Sequence, residues 1–277
     1  MNKIILFLLT FAIISAQDDK IPDGWTASGV AGLNLSQIAL SNWSQGGDNS
    51  LAFNLTGNFK FVYVSNPWKL DNNLKLSFGK TKLGKEEFKT TDNEIYLENI
   101  LSRDFGWAVS PFFSNTVRTV LTNGYQYDEN QSTQISAFFD PGYVTQSLGF
   151  TYDKLKGFKT RLGIALQETF TNKFRYYSDD PDTEPEIEDF KLETGMESVT
   201  EGEFTLDDNL LMNSKLRLFT RFDALDVWDV RWDNTITAKI NDYLNCNLNV
   251  LVIYEKSQSP KTQVKEALQL GITYTLF

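Results

Sequence analysis

The 277-residue sequence contains no histidine and a single cysteine, Cys246. Without histidine the chain cannot assemble a Ser-His-Asp or Cys-His catalytic arrangement, and it lacks the imidazole ligands of most zinc and haem sites. One cysteine also excludes an intrachain disulfide. No nucleophile with a partnered base is visible in the sequence. We therefore predict no catalytic residues, no enzyme activity, no metal site and no cofactor.

Positive charge is also scarce, because 26 Lys and Arg residues stand against 36 Asp and Glu residues and leave a net charge of −10. Proteins that bind nucleic acid need clusters of Lys and Arg to neutralise phosphates. The sequence therefore predicts no nucleic-acid partner.

Long apolar runs are absent beyond the first 16 residues. A transmembrane helix needs about 20 consecutive apolar residues, so this absence excludes a helical membrane protein. The mean hydropathy of −0.31 resembles that of a soluble chain. It is equally compatible with a transmembrane β-barrel, because only every second residue of its strands meets lipid.

The N-terminus has the pattern of a secretory signal. Lys3 precedes an apolar run at residues 4–14, and small residues end at Ala16 before the polar Gln17. The alternative, a buried N-terminal helix, is disfavoured by the polar residues that follow at once. We predict a signal peptide at 1–16, a short periplasmic segment at 17–26 and a single barrel domain at 27–277.

Strict alternation of apolar and polar residues is the main structural signal. It is clearest at residues 51–63, 68–78, 228–240, 244–252 and 264–276. A side-chain period of two places each apolar set on one face of a strand. Soluble strands usually have about 5 or 6 residues, whereas a membrane strand needs about 9 to 11. The longest of these runs favour membrane strands with their apolar face toward lipid.

The pattern predicts an all-β fold, a single closed antiparallel up-and-down transmembrane β-barrel of about twelve strands. The predicted strands are 27–39, 50–63, 68–80, 93–103, 106–121, 132–152 (bent at Pro141), 157–170, 191–204, 209–222, 227–240, 243–255 and 263–276. Short and longer links alternate between them, as the turns and outer loops of bacterial barrels do. A soluble lipocalin-like barrel, with its apolar face inward, is the alternative.

Several segments resemble an uncharacterised outer-membrane family known as domain of unknown function 3078. The resemblance begins at Leu35–Ser50, which contains Asn42-Trp43 followed by Gly46-Gly47. It continues in four shorter segments, at 139–145, 215–219, 240–244 and 265–274. It implies a barrel in the outer membrane of a diderm bacterium. It implies no known activity and no functional residues.

The polar face of several predicted strands is rich in charge of both signs. The side chains predicted to line the bore are Lys159, Arg161, Glu193, Glu197, Glu201, Glu203, Lys215, Arg217, Arg221, Asp229, Arg231, Asp233 and Lys239. Opposite charges on adjacent strands can pair and fill the interior. A twelve-stranded barrel lies between small filled barrels and open porins, so this ladder is either a structural plug or the wall of a narrow pore.

Residues 42–49 form a candidate loop site in the first outer loop. The motif residues are Asn42, Trp43, Gly46, Gly47, Asp48 and Asn49. The two glycines permit a tight reversal, and Trp43 is positioned to plug the barrel mouth. The motif is interpreted either as a loop that folds inward for structural reasons or as a ligand or partner site.

Two remaining features receive structural interpretations. Residues 178–189 are strongly acidic, but their spacing fits no EF-hand, so we expect a solvated, mobile loop. Cys246 lies on the apolar phase of its strand and is interpreted as a small lipid-facing hydrophobe.

These observations predict a multi-pass barrel of the cell outer membrane, with the lipid bilayer as its surroundings and the barrel-assembly machinery as a partner during biogenesis. The leading hypothesis is a narrow channel or passive transport module for small polar solutes. The alternative is a closed barrel that serves as an envelope scaffold or binds an unknown envelope partner.

Overall fold

The computed structural model describes residues 23–42, 44–128, 131–180, 183, 185–256 and 261–277. The predicted signal peptide and residues 17–22 of the predicted periplasmic segment lie outside the described residues. Within the described ranges, no helix is long and apolar enough to cross a membrane.

Twelve long strands close into one antiparallel barrel, which confirms the predicted fold. The barrel strands are β1 (Gly24–Ile38), β2 (Ser50–Ser65), β3 (Trp68–Leu83), β4 (Lys89–Arg103), β5 (Ser110–Thr119), β8 (Gly142–Leu155), β9 (Phe158–Phe170), β10 (Phe190–Asp207), β11 (Leu210–Arg221), β12 (Asp229–Lys239), β13 (Leu244–Tyr254) and β14 (Gln263–Thr275). Each strand pairs with its neighbours around the barrel, and β14 pairs with β1 to close the circle. Two short strands, β6 (Gly124–Tyr127) and β7 (Ser132–Ser136), form a separate hairpin.

The two ends of the barrel differ. At the turn end, where β1 begins and β14 ends, the links are residues 66–67, 104–109, 156–157, 208–209 and 240–243. At the loop end, the links at 39–49, 120–141 and 171–189 are longer, and the last contains a 3₁₀ turn at Arg175–Tyr177. This asymmetry agrees with the predicted alternation of short and long links.

One predicted strand was wrong. Residues 132–152 form β7, a turn and β8, and only β8 belongs to the barrel. The interruption lies at Phe139, which has a φ of 56°, and at Pro141, which has no N–H to donate to a ladder. The predicted loop at 81–92 is also shorter, at 84–88, because β3 and β4 continue to Leu83 and from Lys89.

The apolar face of the wall points outward. On β9, the outward residues Leu162 and Ile164 are 61% and 59% exposed. Arg161, on the inner face of the same strand, is 3% exposed. A few large apolar side chains, Ile100, Phe112 and Phe219, are buried on the inner face. A lipocalin-like arrangement, with the apolar set inside, is therefore excluded, and the outer wall is that of a transmembrane barrel.

Candidate functional site

The centre of the bore is crossed by a group of charged side chains. Glu98 of β4 accepts hydrogen bonds from Arg161 of β9 and from Lys215 of β11, the latter at 2.9 Å from Nζ to Oε2. Lys215 also pairs with Glu201 of β10 at 2.8 Å. Because β4 is a neighbour of neither β9 nor β11 in the barrel, these contacts span the interior.

A tyrosine completes this central ionic cluster, which consists of Tyr96, Glu98, Arg161, Glu201 and Lys215. The Tyr96 hydroxyl donates to Glu98 Oε1 at 3.0 Å and accepts from Lys215 Nζ at 3.0 Å. Glu98 is only 1% exposed. Two carboxylates and two cations make the cluster neutral overall, which is what the burial of such charges requires.

A second set of ion pairs lies nearer the loop end. Arg231 of β12 pairs with Glu94 of β4 at 2.9 Å, which is another contact across the bore. On β10 and β11, Arg217 pairs with Glu197 at 2.7 Å and donates to Gln167 at 2.8 Å. The set continues with Arg231–Asp233, Arg221–Glu193 and Lys265–Asp92. Toward the turn end, Lys159 reaches Asp71 at 3.4 Å from β9 to β3.

The wall formed by β13, β14 and β1, together with Thr235 and Thr237 of β12, is polar but mostly uncharged. Asn247 of β13 donates to Asn34 of β1 at 3.2 Å over the intervening β14, where Gly271 leaves room for the amides. Two threonines of β12 bond to asparagines of β13, Thr235 to Asn249 and Thr237 to Asn247, each at 2.9 Å. The bore therefore has one ionic side and one amide side.

Both ends of the bore contain accessible space. At the loop end, a cavity of about 280 Å³ is lined by residues that include Asp92, Glu94, Arg118 and Arg231. On the turn-end side of the bore, the inner-wall residues Asn58, Lys60 and Lys75 are exposed. Lys75 forms no ion pair within the described part of the chain. The central ionic cluster lies between these two regions.

Asp140 ties two long loops together above the loop-end cavity. Its carboxylate accepts hydrogen bonds from the backbone N–H groups of Asn172, Lys173 and Phe174 at 3.0, 2.8 and 3.3 Å. The Tyr176 hydroxyl donates to the Ile135 carbonyl at 3.0 Å. Burial raises the pKa of Tyr176 above its ordinary value, so this hydroxyl keeps its proton.

The described part of the acidic segment 178–189 forms several local hydrogen bonds, and its expected mobility stays a prediction. Ser178 is buried and its hydroxyl donates to the Glu188 carbonyl at 2.7 Å. The Glu188 carboxylate accepts from the Thr183 hydroxyl and from Asp180 N–H, and the Thr183 bond lowers the pKa of Glu188. Among the described residues, no group of three or more His, Cys, Asp or Glu side chains is placed to hold a metal ion.

Most of the thirteen predicted bore residues come together. Ten of them form ion pairs on the inner wall: Lys159, Arg161, Glu193, Glu197, Glu201, Lys215, Arg217, Arg221, Arg231 and Asp233. Asp229 lies at the loop end of β12 and is half-buried. Glu203 and Lys239 are exposed near the turn end, where Lys239 pairs with Asp242 of the next turn at 2.9 Å.

Sequence reasoning missed the partners on the opposite wall, above all the carboxylates of Glu94 and Glu98 and the hydroxyl of Tyr96, all on β4. Their signal was the polar phase of the predicted strand 93–103, where they alternate with Ile95 and Leu97. That phase predicts an inner position, but it does not predict which strand lies across the bore.

The loop motif at 42–49 joins β1 to β2 at the loop end of the barrel. Asn42 and residues 44–49 are exposed, and Trp43 lies outside the described residues. Positive φ values at Asn42, Gly46 and Gly47 make the reversal. The Asn49 side-chain oxygen accepts a hydrogen bond from Leu40 N–H at 2.6 Å. The Asn49 backbone carbonyl accepts one from Gly84 N–H at 2.7 Å. Because Trp43 lies outside the described residues, both interpretations of this loop, an inward structural fold and a ligand or partner site, stay predictions.

Cys246 is half-buried and on the outward phase of β13, opposite Leu270 of β14. This position agrees with its interpretation as a small hydrophobe in the outer wall.

Three solved structures illustrate the comparison with known folds. The translocator domain of the autotransporter NalP from Neisseria meningitidis is 10% identical, with 92% of this chain and 90% of that chain covered and a TM-score of 0.38. An outer membrane channel from Pseudomonas putida F1 is 11% identical, with 95% and 99% covered and a TM-score of 0.40. The β domain of a Bordetella autotransporter is 6% identical, with 91% and 99% covered and a TM-score of 0.32. These scores are below 0.5, so the barrel is established by its own strand pairing.

No curated protein matches the chain. The family model of domain of unknown function 3078, described as a protein of unknown function, matches residues 35–125. The match contains the Leu35–Ser50 segment and ends before the four shorter segments of the predicted resemblance. The resemblance of this chain to domain of unknown function 3078 is thus confirmed, over residues 35–125.

Proposed function

We propose that this protein is an outer-membrane β-barrel that acts as a narrow channel or passive transport module for small polar solutes. The observation that carries the proposal is the polar bore, which has accessible space on both sides of the central ionic cluster. A polar solute loses hydrogen bonds when it leaves water. The amides and paired charges that line the interior can form new hydrogen bonds with it.

The membrane location is supported by the outward wall. Apolar side chains such as Leu148, Leu162 and Leu268 are more than half exposed, which is stable only where lipid covers them. With the predicted signal peptide at residues 1–16, this wall supports export, insertion by the barrel-assembly machinery, and residence in the outer membrane.

The balance of positive and negative charge in the bore supports a channel that passes small solutes without strong selection for either charge. The two cations of the central ionic cluster face two carboxylates, so no single sign dominates the narrowest region. A bore with rings of one sign would attract ions of the opposite sign. Small neutral or weakly charged solutes are the class that this balance favours.

The test is the conductance of the purified full-length protein in planar lipid bilayers. We expect discrete steps of small, weakly ion-selective conductance, and liposomes that contain the protein should swell in small sugars or amino acids. The same preparation after heat unfolding is the control. Bilayers that stay electrically silent, together with liposomes that do not swell, would refute the channel.

A closed barrel that binds an envelope partner is the second candidate. It is favoured by the contact of Glu98 with Arg161 and Lys215 across the bore, and by the ordered loops held together at Asp140. Crosslinking in cells should then capture a partner that is lost when Asp140→Ala loosens these loops. A conducting barrel from which no partner is captured would contradict this alternative.

A further inference from the structure

A row of polar side chains crosses the outward wall of the barrel. It consists of Asn72 on β3, Asn99 on β4, Asn115 on β5 and Gln146 on β8. Asn72 is the register partner of Asn99, Asn99 of Asn115, and Asn115 of Gln146. Register partners in an antiparallel sheet share one face. We call these four residues the amide row.

The amide row lies within the apolar band and not at its rims. Each of its members has an apolar residue two positions before it and two positions after it on the same face. These neighbours are Leu70 and Leu74, Leu97 and Leu101, Phe113 and Val117, and Val144 and Leu148. Phe113 and Leu148 are 46% and 57% exposed on the outer surface. The amides therefore stand at a depth where water is not available to them.

The side chains of the two central amides have no hydrogen-bond partner among the described residues. At the ends of the row, Asn72 donates to the Phe61 carbonyl at 3.2 Å and Gln146 donates to Glu168 at 3.3 Å. Asn99 and Asn115 form no side-chain hydrogen bond with any other described residue. A primary amide left without hydrogen bonds in hydrocarbon is costly.

Two other groups of polar residues on the outward wall form hydrogen bonds within the chain. Ser214 donates to Asn234 at 2.8 Å and accepts from the Trp232 indole at 3.0 Å. Thr160 and Thr200 bond to each other at 2.9 Å. On the opposite side of the barrel, the outward residues of β13 from Leu244 to Tyr254 are apolar or cysteine, apart from the terminal tyrosine. Among the described residues of β3, β4, β5 and β8, the two row amides without a side-chain hydrogen bond are those of β4 and β5.

We propose that the amide row is the contact surface between two copies of this chain in the membrane. A carboxamide both donates and accepts, so a row of amides is complementary to itself across a two-fold axis. Asn99 and Asn115 of one copy then bond to the same pair of the other copy. Lipid tails offer no such bonds, and polar side chains inside a membrane hold spans together in this way.

The first test is oligomeric state. The full-length protein, extracted from membranes in a mild detergent, is compared with the double variant Asn99→Leu and Asn115→Leu by native mass spectrometry. We expect a dimer for the natural chain and about tenfold weaker dimerisation for the variant, equivalent to about 1.4 kcal/mol. The matched control is Ser214→Ala with Asn234→Leu, which removes polar groups from the other wall and should leave the dimer intact.

The second test uses crosslinking in the native membrane. In a Cys246→Ser background, Asn99→Cys or Asn115→Cys should give a covalent dimer on mild oxidation, whereas Leu268→Cys on the opposite wall should not. The shift in gel mobility on heating verifies that each variant has folded. A natural chain that is monomeric in both tests, or an Asn99→Leu and Asn115→Leu variant that dimerises as strongly as the natural chain, would overturn the proposal.

Discussion

Lys215 on β11 reaches Glu98 on β4 across the interior of the barrel, with 2.9 Å between Nζ and Oε2. Five steps around the wall separate these strands in one direction and seven in the other, so the two residues lie on nearly opposite walls. The contact narrows the bore at its centre and couples strands that share no backbone hydrogen bonds.

Replacement of Glu98 by Gln should destabilise the barrel. The change leaves Arg161 and Lys215 buried without their shared carboxylate, and the removal of one partner of a buried ion pair costs about 3 kcal/mol. We expect the unfolding midpoint in urea, followed by gel mobility, to fall. Glu203→Gln, at an exposed position of β10, is the control. A Glu98→Gln barrel as stable as the Glu203→Gln barrel would contradict the structural importance of the cluster.

Removal of both members of this contact should widen the bore. The double variant Glu98→Ala and Lys215→Ala deletes one carboxylate and one cation, so the net charge of the cluster is unchanged while its volume falls. Conductance should rise on the order of twofold, because it increases with the cross-section of the pore. Glu203→Ala with Lys239→Ala, near the turn end, is the control of equal charge. An unchanged conductance would place the narrowest point elsewhere.

Replacement of Asp140 by Ala should release the loop at residues 171–189. Three backbone N–H groups lose their carboxylate acceptor, and hydrogen bonds to charged groups contribute about 1.5 to 3 kcal/mol each. We expect trypsin to cleave after Lys173 or Arg175 at least about tenfold faster in intact membranes, since local opening controls such cleavage. Asp226→Ala, in the exposed loop at 222–228, should leave the cleavage rate unchanged. Equal cleavage rates for the two variants would show that Asp140 does not hold this loop in place.

Replacement of Gly271 by Ala should weaken the seam between β1 and β14. The ladder between these strands runs from Val30 to Leu35, with two further bonds from Gly29 to Leu276 and Phe277, whereas β1 pairs with β2 along its whole length. A Cβ at position 271 would collide with the side-chain oxygens of Asn34 and Asn245. The loss of one or two amide bonds should lower the unfolding free energy by about 1 to 2 kcal/mol.

The control for the seam is Gly202→Ala, for which the three atoms nearest the added Cβ all belong to the Phe204 ring, which can rotate away. Both variants are compared by their unfolding midpoints in urea. If Gly271→Ala unfolds at the same midpoint as Gly202→Ala, the amides over the seam do not contribute to closure.

Local alternation was sufficient to predict the strands and their two faces. At residues 51–63, the alternation predicts that the apolar residues face lipid. In the structure these residues face outward, and Leu55 and Phe61 are exposed. The error at 132–152 arose because β7 and β8 both have strand composition. Their separation depends on the turn at Ala137–Asp140 and on the hairpin with β6.

The sequence by itself determined that this is a twelve-stranded barrel with ionic residues inside, because a period of two is a local property of each strand. The tertiary structure alone decided that Glu98 meets Arg161 and Lys215, and that Asn72, Asn99, Asn115 and Gln146 align on the outer wall. The physical reason is that both arrangements depend on register and closure. Register sets which residues of neighbouring strands lie side by side, and closure brings distant strands to face each other.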